Sequence, residues 1–242
     1  LPRLREGNVA LQVFTAVTKT PAGMNYEENA SDARDNITLL AMAQRWPSRT
    51  WDSLAERALY QASKLRRFAE QAPESLQLLR QGGDVPRLLA ARAAGAETVG
   101  AVLGIEGAHA LDGDLANVDR LYDAGYRMVG LHHFFDNALG GSLHGTGSHG
   151  LTEFGREVVA RLDARGMIID VAHSSPESVR DVLALTSRPV VVSHTGFRGA
   201  CATPRNIDDD LMREIARRGG LIGVGYWDAA VCDVSPAGIV AA

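Results

Sequence analysis

Cysteine, lysine and long apolar runs are scarce in this sequence of 242 residues, and each scarcity closes off a class of protein. Two cysteines, Cys201 and Cys232, are too few for a disulfide-built framework, and they lack the CxxC spacing of a redox motif or a zinc–thiolate site. The sequence leaves open whether they bridge or stay free. Nowhere do apolar residues run for the ~18–20 positions that a bilayer span requires, and the N-terminus has no charged-then-apolar leader pattern. The 25 basic and 29 acidic residues leave a formal charge of −4, so the basic excess of a nucleic-acid binder is missing. Lysine occurs only at Lys19 and Lys64; the arginine-rich remainder is a compositional trait without chemistry attached. Internal repeats, low-complexity tracts and domain linkers are also absent.

What is present is a hydrophobic content of 45%, enough for one sizeable core, and a single domain over residues 1–242 is expected. Six continuous apolar runs, bounded by Gly or Pro and rich in β-branched residues, read as strands: Asn8–Val17, Thr98–Ile105, Tyr126–Leu131, Gly166–Ala172, Pro189–Ser193 and Gly219–Tyr226. Continuous rather than alternating hydrophobicity marks strands covered on both faces, as in a parallel sheet under helices. Helical periodicity fills the gaps. Leu54, Ala58, Ala62, Leu65 and Ala69 share one face, as do Leu151, Phe154, Val158, Val159 and Leu162, and further helices are expected at 114–125, 176–186 and 207–218. Ser175-Pro176 has the form of a helix cap followed by a first-turn proline. Residues from about 31 to 92 read as a wholly helical excursion after the first strand.

Such an alternation suits either an open doubly wound sheet or a TIM-like (β/α)₈ barrel. Polar residues decide between them, because barrels place reactive groups at the C-terminal tips of several strands. Here successive strands run into Glu106, His132-His133, His173 and His194. A carboxylate at the end of a buried strand, as in GIEGAH, must be paired, protonated or bound to a cation. His173 in IIDVAHSS and His194 in VVVSHTG each follow an apolar strand and precede hydroxyl residues. A lone histidine in such a place is ordinarily a satisfied residue at the edge of a core, but three convergent strand tips bearing carboxylate and imidazole suit a zinc-type site.

The other polar groups carry weaker readings. His109, His144 and His149 lie among glycines and are expected in surface loops, an edge of the pocket being the alternative for His144 and His149. GGSLHGTGSHG lacks the GK[ST] of a phosphate loop and reads as a flexible rim. Asp170 suits either a hydrogen bond to a neighbouring histidine or a structural pair. Asp208, Asp209 and Asp210 suit a helix start. Arg205, taken alone, is a solvated arginine ahead of a helix capped by Asn206 or Asp208.

GIEGAH, the pair in LHH, GLTEFGREVVARLDARGMIIDVAHSS and PVVVSHTGFRGACATPRNIDDD, in this order and spacing, resemble the renal-type membrane dipeptidase family of dinuclear zinc peptidases. The resemblance extends from Leu1 to Val234. It implies an amidohydrolase-type barrel and hydrolysis of dipeptides, including those with a D-residue at the C-terminal position, by a hydroxide bridging two zinc ions. Glu106 then corresponds to the carboxylate shared by both metals, and His173 and His194 to the histidines of one of them. His133 corresponds to a catalytic histidine that contacts substrate and tetrahedral intermediate, and Arg205 to the arginine that binds the substrate's terminal carboxylate. Cys201 and Cys232 fall where relatives have a bridging pair.

The resemblance also implies a His-x-Asp pair on a first strand and an aspartate on an eighth, neither of which occurs here. A natural chain longer at both ends is therefore expected. The partner implied is a small dipeptide, with neither nucleic acid nor a transmembrane segment involved and with homodimerisation an option. Export, to a periplasm for instance, is preferred over the cytoplasm. The alternatives are another amidohydrolase-type reaction and a non-catalytic metal-binding relative.

Overall fold

Seven strands, every adjacent pair parallel, form the centre of the computed structural model, which describes residues 1–242. They are β1 (Leu11–Val17), β2 (Leu76–Leu78), β3 (Val99–Glu106), β4 (Tyr126–Gly130), β5 (Ile168–Asp170), β6 (Val191–Thr195) and β7 (Leu221–Val224). The order β1-β3-β4-β5-β6-β7 follows the chain and curls into part of a TIM-like barrel. β2 stands outside that path. It pairs with Val99–Ala101 of β3 on the edge opposite β1, and β4 takes over that edge from Leu103 onward.

The helices are α1 (Pro2–Glu6), α2 (Asn36–Ala43), α3 (Arg49–Asp52), α4 (Leu54–Gln71), α5 (Asp84–Ala93), α6 (Ala116–Ala124), α7 (Glu153–Ala164), α8 (Pro176–Leu185), α9 (Asp209–Arg217), α10 (Asp228–Val231) and α11 (Pro236–Ala241). Local chemistry sets their starts. Thr152 accepts from Gly155 N at α7 and Ser175 from Ser178 N at α8, where Pro176 takes the first turn without wasting an N–H. Asp208 precedes α9, so the aspartate run does begin a helix. Val158, Val159 and Leu162 of α7, Val182 of α8 and Ile215 of α9 pack with Ile105, Val129, Ile169 and Val192 of the strands in one continuous core.

Two sequence expectations change. The span from about 31 to 92 is not wholly helical, because β2 lies within it. Its three residues, Leu-Gln-Leu, are too few to show a period of two, and pairing with β3 supplies what local pattern cannot. The fourth predicted strand also shrinks, from 166–172 to Ile168–Asp170: Gly166 adopts a left-handed φ of +67° past the end of α7. The open question about the cysteines is resolved by a Cys201–Cys232 disulfide at 2.04 Å, which ties the segment after β6 to the end of α10.

Candidate active site

Glu106 is the last residue of β3, and the chain turns immediately at Gly107, whose φ is +89°. A Cβ there would lie 2.2 Å from Nε2 of His109, so glycine is required both by conformation and by the imidazole packed beneath the turn. His173 follows β5 and also takes a left-handed φ, +67°. For a residue with a side chain this costs on the order of 1 kcal/mol or more, the kind of local strain that rigid surroundings hold at functional positions. His194 lies within β6 and His133 three residues beyond β4.

These four side chains meet around one oxygen. Oε1 of Glu106 is 3.2 Å from His194 Nε2, 3.3 Å from His173 Nε2 and 3.6 Å from His133 Nε2. The Nε2 atoms of His173 and His194 are themselves 3.0 Å apart. Donors at ~2.0–2.1 Å around a tetrahedral ion stand about 3.3 Å from each other, so the Glu106–His173–His194 spacings match a shared cation. The donor set of one carboxylate and two imidazoles also suits zinc. Among buried atoms left without a partner are Nδ1 of His173 and Nδ1 of His133.

Electrostatics favour the binding form of the cluster. Burial opposes ionisation of Glu106, but a hydrogen bond from His173 and the polar contacts of His194 and His133 outweigh it and hold the carboxyl well below its ordinary pKa. Burial depresses His173 far below the usual imidazole value, against the pull of Glu106. His133 is lowered for the same first reason. An anionic carboxylate beside the neutral imidazoles of His173 and His133 is the protonation state a cation needs.

Arg205 lies beside this cluster and is not solvated, as an isolated reading of the sequence expects, but 1% exposed. The structure explains the burial: Nη2 donates to the carbonyl of His194 at 2.6 Å, and the guanidinium lies over the Trp227 ring at 5.6 Å. Longer contacts of 3.4 Å reach Thr195 Oγ1 and His173 Nε2. No side-chain carboxylate pairs with it. Burial lowers its pKa to about 10, which leaves it charged at neutral pH. The helix after it is not capped by Asn206, whose amide instead donates to the carbonyls of Cys201 and Ala230.

The glycine-rich histidines are a further correction. His109 and His144 are buried, and only His149 is exposed. His109 stacks on Phe135 at 4.6 Å. His144 stacks on Phe134 at 4.9 Å, meets the edge of His173 at 5.4 Å, and shares a hydrogen bond of 2.8 Å with the carbonyl of Tyr26. Asn29 N donates to the His144 carbonyl, so the 18–35 segment is fastened over this side of the site. His144 thus takes the pocket-edge place that is its alternative reading, whereas Tyr26, Phe134 and Trp227 carry no sequence signal: their positions arise from loops folded over the strand tips. Asp170 accepts from Ala172 N and Ser193 N and from the Ser193 hydroxyl, while burial raises its pKa.

Comparison with known proteins follows the same lines. The sequence model described as membrane dipeptidase, peptidase family M19, matches residues 1–240. Mouse dipeptidase 3 is 30% identical over 206 residues, covering 76% of this chain and 38% of its own length. An uncharacterised dipeptidase of Schizosaccharomyces pombe is 25% identical over 231 residues, covering 95% and 52%. The chain thus spans between about a third and half of these relatives. Two solved structures share the fold at 22% identity. One is a dipeptidase described as a family M19 metallopeptidase (TM-score 0.76, 96% of this chain and 64% of that one). The other is a Rhodobacter sphaeroides metallopeptidase liganded with a phosphinate mimic of L-Ala-D-Ala (0.73, 95% and 65%).

Proposed function

Because the chain belongs to the membrane dipeptidase family, peptidase family M19, we propose that its strand-tip cluster serves zinc-dependent hydrolysis of dipeptides. The observation that carries the reading is the convergence of Glu106, His173 and His194, three donors within 4.8 Å of one another from the ends of three separate strands. In this reading Glu106, His173 and His194 hold the metal, with Glu106 shared with a second zinc ion. Zinc held there would supply a Lewis acid that polarises the scissile carbonyl and lowers the pKa of water toward ~7.

The remaining chemistry belongs to the chain. Arg205 binds the C-terminal carboxylate of the substrate: it is a buried cation without a carboxylate of its own, and a guanidinium grips a carboxylate through two parallel hydrogen bonds. His133, with Nε2 aimed at the cluster and Nδ1 free of a protein partner, donates to the carbonyl oxygen as negative charge develops on it. Phe134, His144 and Trp227 border the site and keep water out. A requirement for a free carboxylate places the scissile bond at the last peptide bond of the substrate, as in a dipeptide, and a C-terminal D-residue is compatible with it, as the L-Ala-D-Ala mimic on the Rhodobacter relative suggests. The Cys201–Cys232 bridge suits an oxidising compartment and hence an exported enzyme. No helix is long and apolar enough to cross a membrane.

The test is the zinc-loaded enzyme on a dipeptide and on its C-terminal amide. Turnover of the dipeptide at least a hundredfold faster is expected. Equal rates would remove Arg205 from this role, and no turnover of either with zinc bound would end the peptidase reading.

A further inference from the structure

His194 differs from His173 in what holds the far side of its ring. Nδ1 of His194 lies 2.8 Å from the Ser193 hydroxyl, and that hydroxyl donates to Oδ2 of Asp170 at 2.5 Å. Oδ1 of Asp170 accepts the amides of Ala172 and Ser193, each at 3.0 Å. The carboxylate is therefore surrounded by donors and buried at the end of β5. Nδ1 of His173, by contrast, has no partner at all.

A hydroxyl has one hydrogen. Since Ser193 gives its hydrogen to Asp170, its oxygen is left to accept from His194, which fixes the proton of that ring on Nδ1. Nε2 is then left with a lone pair open to a cation held between it and Glu106. We propose that Asp170 and Ser193 form a positioning relay that sets the tautomer of His194 and so its capacity to bind a cation. The inference rests on the reading of His194 as a metal ligand. Asp170 lies on the strand preceding β6, and neither relay residue need touch metal or substrate. Partners of this kind behind a ligating imidazole tune affinity by ~10–100-fold.

The polarity of the relay makes a specific prediction for Asp170→Asn. The amide can keep the two backbone hydrogen bonds through its oxygen, but its nitrogen now donates to Ser193. The hydroxyl turns around, donates to Nδ1 of His194, and leaves the ring proton on Nε2, the wrong tautomer for binding.

The experiment has two readouts on the purified protein. Nitrogen-15 NMR of the metal-free protein reports the His194 tautomer, with the resonances assigned by their loss in His194→Gln. Competition with a chromophoric chelator reports affinity for Zn²⁺ alone. The proton is expected on Nδ1 in the wild type and on Nε2 in Asp170→Asn. Zinc affinity should fall ~10–100-fold in Asp170→Asn and Ser193→Ala, and Ser193→Thr, which keeps the hydroxyl, should stay within about threefold of the wild type. An unchanged tautomer in Asp170→Asn, or zinc affinity within twofold of the wild type in both disruptive variants, would overturn the relay. A wild type that binds no zinc would instead defeat the metal reading, and the tautomers of the metal-free proteins would still decide the relay.

Discussion

Arg57 and Arg205 are both arginines with 1% exposure, yet their surroundings are built on opposite plans. Arg57, on α4, spends all five of its N–H donors on the carbonyls of Thr50, Thr18 and Trp51, the hydroxyl of Thr38 and the carboxylate of Asp35, at 2.5–2.8 Å. Asp35 in turn caps α2 through the amides of Ile37 and Thr38 and accepts from Thr20 N. This network nails the helical excursion to the chain leaving β1 and has nothing left over. Arg205 makes one close hydrogen bond, to the His194 carbonyl, and has no acid to neutralise it. Under the proposed function, the contrast separates a buried charge that builds the fold, saturated from within, from one whose donors are left for a ligand.

That comparison can be broken at several points. The largest effect is expected at the open centre. Glu106→Gln should lower dipeptide turnover by about 10³-fold or more, equivalent to roughly 4 kcal/mol at the transition state, while the denaturation midpoint stays nearly unchanged. A matching loss of stability would mean that Glu106 is structural, like Asp35. Arg57→Ala reverses the pattern, removing about 3–5 kcal/mol of stability because Asp35 loses its buried counter-charge and five acceptors lose a donor. Urea unfolding measures it, and a shift below 1 kcal/mol would deny that the network is saturated for structural reasons.

Removing the bridge with Cys201→Ser and Cys232→Ser should cost about 3–4 kcal/mol, since the closed loop spans 31 positions. Thermal unfolding with and without reductant checks the same quantity in the unaltered protein. The pH response has a definite sign. Burial lowers both His109 and His132 to about 3 in the folded protein, whereas an unfolded imidazole titrates near 6.5. The unfolded chain therefore binds more protons between those values. Their stabilising contribution is intact above about pH 6.5 and is lost as the pH falls toward 3, by at most about 1.4 kcal/mol per pH unit for each histidine. Urea midpoints at pH 7 and pH 5 should differ in that direction, and a midpoint unchanged or higher at pH 5 would contradict it.

Much of this was legible in the sequence, for a physical reason. Glu106, His173 and His194 each interrupt a continuous apolar run at its C-terminal end, and a parallel sheet brings such ends to one side, so pattern alone brings them together. β2 was invisible because three residues cannot display a period. The burial of His109 and His144 is not legible, because glycine-rich composition reports conformational freedom and says nothing of whether a loop folds inward over strand tips. The Asp170–Ser193–His194 chain joins two strands, and only their register brings Asp170 to Ser193. Cysteines 31 positions apart fit a bridge or two thiols equally until the fold sets their distance.

The central claim is that the tips of β3, β5 and β6 form one cation-binding cluster. Anomalous X-ray diffraction at the zinc edge from crystals grown with zinc tests it most directly. A peak ~2.0–2.2 Å from Glu106, His173 Nε2 and His194 Nε2 is the expected result; zinc bound elsewhere, with these three side chains paired only to one another, would contradict it.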